Sequence, residues 1–314
     1  MNILVTGCAG FIGSHLTERL LKEGHSVVGL DSFTPYYDRR YKETNLVGIK
    51  GNRAFKLIES ELSAIDLRTV LTDIDFVYHL SAQPGVRASW GNEFQIYIRH
   101  NIDATQLLLE AAANCQRLLG LVYASSSSIY GDAETRPTSE QLVPRPISPY
   151  GVSKLAAEHL VRLYSVKRGV PAIALRYFTV YGPRQRPDMA FHRFCRAAIS
   201  DQPIELFGDG TQTRDFTYID DLIAANLACL REGWAGEIFN IGGGGAVALS
   251  DVIEHLRAIH RHPLTVTFQG GVLGDAQHTS ADIRFAQARL GYSPVVLLRD
   301  GLAEEYRWAR LFYA

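Results

Sequence analysis

Two stretches of the chain carry residues that could do chemistry together. One is the serine run Ser125-Ser126-Ser127-Ser128-Ile129-Tyr130-Gly131. The other, about two dozen residues on, is Tyr150-Gly151-Val152-Ser153-Lys154. A tyrosine and a lysine four apart in the first turn of a helix put a phenol and an ammonium on one face. A serine hydroxyl at a strand end can meet them there. Such a trio handles protons: the phenol's pKa falls beside a fixed cation, and the hydroxyl orients a substrate oxygen. Tyr-x-x-x-Lys also arises often by chance, so the reading depends on the elements that position it.

Those elements alternate. Residues 3–6 read as a buried strand, followed by Gly7-Cys8-Ala9-Gly10-Phe11-Ile12-Gly13 and an amphipathic helix to about residue 23. Strand, glycine turn and helix in that order form a dinucleotide fingerprint, here spaced G-x-x-G-x-x-G. Gly7 permits the tight turn, Gly10 the approach of a pyrophosphate to the helix N-terminus, and Gly13 close packing of helix on strand. A second strand, 26–30, ends at Asp31, which is placed to accept hydrogen bonds from an adenosine ribose and to repel a ribose phosphate. NAD is therefore favoured over NADP. Strands at 54–58, 76–80, 120–125 and 171–177 then alternate with helices at 63–71, 101–117 and 150–168. The nearly all-apolar strand cores predict a parallel sheet covered on both faces. Gly7, Asp31, Ser81-Ala82 and Ser125–Ser127 all fall at the carboxyl ends of strands, where such sheets bind ligands.

Composition narrows the class. The chain has 314 residues, enough for two subdomains, with a net charge of −1 and no block of either sign, so nucleic acid and membrane are not expected partners. Cys8, Cys115, Cys195 and Cys229 show no paired spacing, which fits reduced thiols in the cytoplasm, and the histidines show no metal-ligand spacing. No apolar run approaches the roughly 20 residues of a membrane span.

With these residues in place, the chain resembles the extended short-chain dehydrogenase/reductase superfamily, and within it the nucleotide-sugar epimerases and dehydratases. The resemblance spans essentially the whole chain. It rests on the glycine turn, Asp31, His79-Leu80-Ser81-Ala82-Gln83, the serine run, Tyr150/Lys154, Arg176-Tyr177-Phe178, Tyr181-Gly182-Pro183-Arg184, Phe207-Gly208-Asp209-Gly210, Arg214-Asp215-Phe216, Tyr218-Ile219-Asp220-Asp221 and Phe239-Asn240-Ile241-Gly242. It implies an α/β fold: a Rossmann-type doubly wound parallel sheet over 1–178, with segments around 215–240 returning to it, and a smaller nucleotide-sugar domain over 179–314. The helices expected in that second part lie at 190–200, 219–231, 249–260, 283–290 and 299–312. A homodimer through the helices near 101–117 and 150–168 is also implied.

The resemblance further implies that NAD is held by Gly7, Gly10, Phe11, Ile12, Gly13, Asp31, Ser32, Glu61, Leu62, Leu80, Ser81, Ala82, Gln83, Asn101, Ser125, Tyr150, Lys154 and Tyr177. Glu61, in Ser60-Glu61-Leu62, stands where relatives carry an aspartate facing the adenine amino group. Tyr150, with Lys154, takes the proton of a sugar 4-hydroxyl, and Ser126 bonds the same oxygen, with Ser125 and Ser127 as alternative claimants. Dehydratases and decarboxylases of the family place Asp-Glu or Ser-Glu just after the catalytic Ser or Thr, where this chain has Ser127 and Ser128. The expected outcome is therefore 4-epimerisation through a 4-keto sugar.

The segment from Arg176 through Thr179 and Arg186 to Phe191 is similar to that of UDP-glucuronate 4-epimerases. A hexuronate needs a cation, and Arg186 is the expected clamp with Thr179 as a hydroxyl donor. Arg87, Ser127, Arg214 and Asp275 complete the UDP-sugar residues, Arg214 at the diphosphate and Asp275 at the uridine ribose. The nearest alternatives are UDP-glucose or UDP-N-acetylglucosamine 4-epimerase, then a UDP-glucuronate decarboxylase.

Overall fold

A computed structural model describes residues 1–231, 233–270 and 273–314. Strand and helix alternate through β1 (Asn2–Thr6), α1 (Phe11–Lys22), β2 (Ser26–Asp31), α2 (Arg39–Leu46), β3 (Phe55–Glu59), α3 (Leu67–Leu71), β4 (Phe76–His79), α4 (Phe94–Tyr97), α5 (Ala104–Ala112), β5 (Gly120–Ser126), α6 (Pro149–Arg168) and β6 (Ala172–Tyr177). Then follow β7 (Thr179–Tyr181), α7 (Ala190–Ile199), β8 (Ile204–Phe207), β9 (Thr213–Tyr218), α8 (Ile219–Ala228), β10 (Ile238–Ile241), β11 (Ala246–Ala248), α9 (Leu249–His260), β12 (Val266–Gln269), α10 (Arg284–Leu290) and α11 (Leu298–Tyr313).

Seven strands form one parallel sheet in the order β10-β6-β5-β4-β1-β2-β3. This is the doubly wound α/β fold expected from the sequence. The direction of winding reverses between β1 and β4, which opens a crevice beyond their carboxyl ends. Alternate residues of each inner strand feed two cores: Ile3, Val5, Tyr78, Val122 and Leu175 on one face, Leu4, Val77, Leu121, Tyr123 and Ala174 on the other. Burial on both faces explains why these strands read as continuous apolar runs. The later elements add two small sheets, β11-β9-β7 and β12-β8, over the crevice, while β10 joins the large sheet beside β6.

Two helices depart from the sequence expectation. The helix predicted over 101–117 starts earlier: α4 runs into a π-helical stretch, Ile98–Asp103, before α5, which ends at Ala112. The wide turn surrounds Asn101, whose side chain is drawn inward to bond Gln83 and Ser153. The helix predicted over 63–71 is two pieces, a 3-10 turn at Leu62–Ala64 and then α3. Asp66 restarts it by capping the Arg68 amide, a local bond that competes with helix continuation.

Candidate active site

One cavity of about 690 Å³ runs along the crevice and reaches under the two small sheets. Its floor is the glycine turn. Gly7 takes a φ of +74°, and a Cβ on Gly13 would stand 2.1 Å from the Gly7 carbonyl oxygen, so α1 approaches β1 only with glycine there. The wall continues through Leu80, Ser81, Ala82 and Gln83 beyond β4 and through the serine run beyond β5.

Helix α6 delivers the tyrosine and lysine. Ser148 caps it by accepting from the Gly151 amide at 3.1 Å, Pro149 sits in its first turn, and Gly169 in the left-handed region ends it. A Cβ on Gly151 would lie 2.6 Å from the Ser128 carbonyl oxygen. That glycine, next to Tyr150 and three residues after the cap, lets the helix abut the serine run. Both Tyr150 and Lys154 line the cavity beside Ser126.

The three serines are not equivalent. Ser125 donates to Glu158 at 2.6 Å, and its hydroxyl is thereby committed to a buried network. Arg176 grips Glu158 through two donors at 3.0 and 2.6 Å, with both side chains under 5% exposed, and also donates to Tyr130 at 2.6 Å. The register explains this, since Ser125 pairs with Arg176 across β5 and β6. Ser126 instead faces Tyr150 and helps to lower its pKa, as does Arg186; burial outweighs both, and the phenol stands above an ordinary tyrosine. Lys154 was expected to lower it and is not among the groups that do. Burial pushes the Lys154 ammonium itself down to about 7, and Glu158, one turn on, pulls it partway back.

Of the residues expected at the cofactor, all line the cavity except Asn101, which is 1% exposed. Asn101 accepts from the Gln83 amide at 2.7 Å and donates to the Gln83 carbonyl and the Ser153 hydroxyl, so it holds the wall from behind. Asp31 is more crowded than the sequence suggested. Its carboxylate accepts from the amides of Ala9 and Phe33 and from the ammonium of Lys42 at 2.9 Å, with both side chains under a tenth exposed. Lys42 lines the cavity and carries no sequence signal, being eleven residues on in α2. Glu61 lies on the wall with its carboxylate paired to Arg99. Tyr177 turns its hydroxyl to Asn226 at 2.7 Å and shows the cavity only its ring. The group these residues would hold fits the wall: the glycine floor admits no side chain, and the buried Ser81 hydroxyl has no hydrogen-bond partner among the described residues.

At the other end, every residue expected at the sugar nucleotide lines the cavity: Arg87, Ser126, Ser127, Thr179, Arg186, Arg214 and Asp275. Arg87 donates to Asp275 at 3.0 Å and lies over the Phe207 ring. Arg214 donates to the carbonyls of Thr213 and Gln277, and burial lowers its pKa. The neighbours Arg184, Gln185 and Arg186 point three ways. Arg184 pairs with Glu18 on α1, Gln185 is buried against His192 and the Val180 carbonyl, and Arg186 alone reaches the cavity. Arg186 is paired there with Asp188.

A glycine-floored crevice on a doubly wound sheet, with a phenol, an ammonium and a hydroxyl converging above it, defines a dinucleotide-dependent enzyme acting on a carbinol. The chain belongs to the NAD dependent epimerase/dehydratase family, whose pattern matches residues 3–242. Its structure superposes with a TM-score of 0.97 on the UDP-glucuronic acid 4-epimerase of Bacillus cereus, solved in complex with UDP-glucuronic acid and NAD; the two are 47% identical over the full length of both chains. A curated UDP-glucuronate 4-epimerase of Thermodesulfobacterium geofontis is 38% identical over 98% of this chain and 95% of its own. A Bacillus subtilis protein described as an uncharacterized UDP-glucose epimerase is 43% identical over 100% of this chain and 99% of its own.

Proposed function

We propose that the protein is an isomerase that converts UDP-glucuronate to UDP-galacturonate by NAD-dependent 4-epimerisation through a transient 4-keto sugar. The observation that carries this reading is Arg186, a guanidinium that shares one cavity with Tyr150 and Ser126. Bound NAD supplies hydride acceptance at carbon 4 and its return. Gly7, Gly10, Gly13, Asp31 and Lys42 would hold it, with Ser81 and Lys154 nearer the reacting end. Tyr150 takes the proton of the 4-hydroxyl and later gives it back, while Ser126 orients the same oxygen. Burial leaves the phenol protonated in the chain alone, so its base form depends on what favours the phenolate at the site: the Ser126 hydroxyl and the Arg186 guanidinium, to which an oxidised nicotinamide would add positive charge.

The serine run supports epimerisation over elimination, because Ser127 and Ser128 bring no carboxylate to carbon 5. A 4-keto uronate is a β-keto acid, prone to lose carbon dioxide when its carboxyl bond aligns with the carbonyl π system, and a fixed guanidinium opposes that alignment. Mass spectrometry of the product from UDP-glucuronate tests this. Unchanged mass supports the epimerase, and loss of carbon dioxide contradicts it. The second reading, a 4-epimerase of neutral UDP-sugars, is favoured by the ion pair between Arg186 and Asp188, which leaves the wall less cationic than Arg186 alone.

We also infer a division at residue 178, with 179–314 as the sugar-nucleotide part, a cytoplasmic location and a homodimer. Among the described residues no helix is long and apolar enough to cross a membrane, and Cys8, Cys115, Cys195 and Cys229 are free thiols. Support for the dimer comes from Leu107 on α5 and Val152, Leu163 and Val166 on α6, which are exposed on adjacent helices. Light scattering of the purified protein tests it, and a monomer would remove it.

A further inference from the structure

Arg186 does not meet the cavity as a bare cation. Asp188 accepts from its Nε at 3.0 Å and from its Nη2 at 2.9 Å, the bidentate geometry that fixes a guanidinium in plane. A turn holds the two together: the Met189 amide donates to the Arg186 carbonyl at 3.0 Å, with Pro187 at the position where its fixed φ suits a turn. Among the described residues Nη1 of Arg186 has no hydrogen-bond partner. A quarter of the Arg186 side chain and a third of Asp188 remain exposed, and both line the cavity. From the other half of the molecule comes Tyr36, on the loop after β2. Its hydroxyl donates a long bond of 3.4 Å to Asp188 and is seated over Gly85, where a Cβ would come within 2.2 Å of it.

We propose that Asp188 is a positioning residue that grips Arg186 by one edge, leaving the Nη1 edge for the sugar's carboxylate, and shares its charge so that a hexuronate is recognised without being locked in place. The inference rests on the hexuronate reading above. Its physical basis is a requirement of the reaction itself. Epimerisation needs the 4-keto sugar to present its opposite face before it is reduced, so every contact to the ring substituents must be released or remade between the two half-reactions. An uncompensated guanidinium on this partly buried wall would hold a carboxylate through two charge-assisted hydrogen bonds and oppose that turn. With Asp188 already on its other edge, Arg186 offers directional donors and only part of a net charge. Specificity then comes from the geometry of Nη1, and the carboxylate can still leave.

The test compares wild type with Asp188→Asn, Arg186→Gln and the double variant. Binding of UDP-glucuronate and UDP-glucose is read by calorimetry, and turnover by NMR. Asparagine keeps an acceptor for Arg186 and removes the charge. Asp188→Asn should tighten UDP-glucuronate by about tenfold while slowing its turnover by a similar factor, and should shift UDP-glucose affinity less than twofold. In the Arg186→Gln background the same change should leave UDP-glucuronate affinity where it was, because the effect travels through Arg186. Equal weakening of both sugars, or an effect that persists without Arg186, would overturn the proposal and leave Asp188 a purely structural residue. A wild-type protein that binds UDP-glucuronate no better than UDP-glucose would instead sink the hexuronate reading, and this inference with it.

Discussion

The two ends of the cavity are made of different material. At the cofactor end the wall is largely backbone: Gly7, Gly10 and Gly13, the strand ends after β4 and β5, and amides pinned by buried side chains such as Asp31 and Asn101. At the sugar end the wall is long side chains standing in pairs, Arg186 with Asp188 and Arg87 with Asp275, around Arg214. A surface made of backbone tolerates no added atom, so it imposes glycine at fixed spacing and leaves a mark in the sequence. A surface made of paired charges can be assembled from any residues the loops bring together. The first end is rigid and shared with many chemistries. The second is adjustable, and on the proposed function it is the end that would decide which sugar is turned over.

Four substitutions sharpen that contrast. Tyr150→Phe, at the junction of the two ends, should lower turnover of either UDP-sugar by about a thousandfold without lowering the melting temperature, because it removes the proton acceptor and little packing. Full turnover would contradict the mechanism. Gly13→Ala should strike the backbone end, costing about 3 kcal/mol or more in unfolding free energy, since its Cβ would fall 2.1 Å from the Gly7 carbonyl oxygen. Calorimetric unfolding and NAD titration read both consequences, and a silent substitution would mean the turn is not fixed.

Arg186→Leu should act only at the other end. The melting temperature holds, while turnover of UDP-glucuronate falls by about 30-fold, the equivalent of about 2 kcal/mol, and neutral sugars are spared. Equal loss on both sugars would dissolve the distinction between the ends.

The smallest effect concerns pH. His79, at the end of β4, lies buried between the hydroxyls of Thr6 and Thr105, and burial lowers its pKa to about 3. Its folded pKa lies below its unfolded one, so the stability it lends is fully present above about pH 6.5 and is lost as pH falls toward 3. The advantage of wild type over His79→Gln should therefore shrink by about 1.4 kcal/mol per pH unit below about 6.5. A constant difference across that range would show that His79 titrates normally.

What the sequence made legible follows the same division. The glycine turn, the strand ends and the Tyr150/Lys154 helix were readable because each rests on a local pattern: continuous apolar runs in the strands, glycines three apart in the turn, and a tyrosine and a lysine four apart on the helix. The lining of the cavity by all but one of the expected residues rests on that regularity. Asn101 stands behind the wall rather than on it because its position in a π-helical stretch aims it at Gln83, and no local pattern announces a widened turn. The partners were hidden for a different reason. Lys42 reaches Asp31, Arg176 reaches Glu158 and Arg99 reaches Glu61 only after the sheet has formed. Among Arg184, Gln185 and Arg186 the spacing cannot say which faces the substrate; the positive φ of Arg184, +68°, and its bond to Glu18 decide that in three dimensions. Gly151 could have been found, since a glycine in the first turn of an otherwise regular helix signals a close approach.

The central claim is that this cavity inverts carbon 4 of a hexuronate with a cofactor it keeps. The most direct measurement is NMR of the purified protein incubated separately with UDP-glucuronate and UDP-glucose, with no NAD added. The account predicts that UDP-glucuronate acquires the galacto configuration at carbon 4, with UDP-glucose converted far more slowly. Inversion of UDP-glucose while UDP-glucuronate stays unchanged would contradict it.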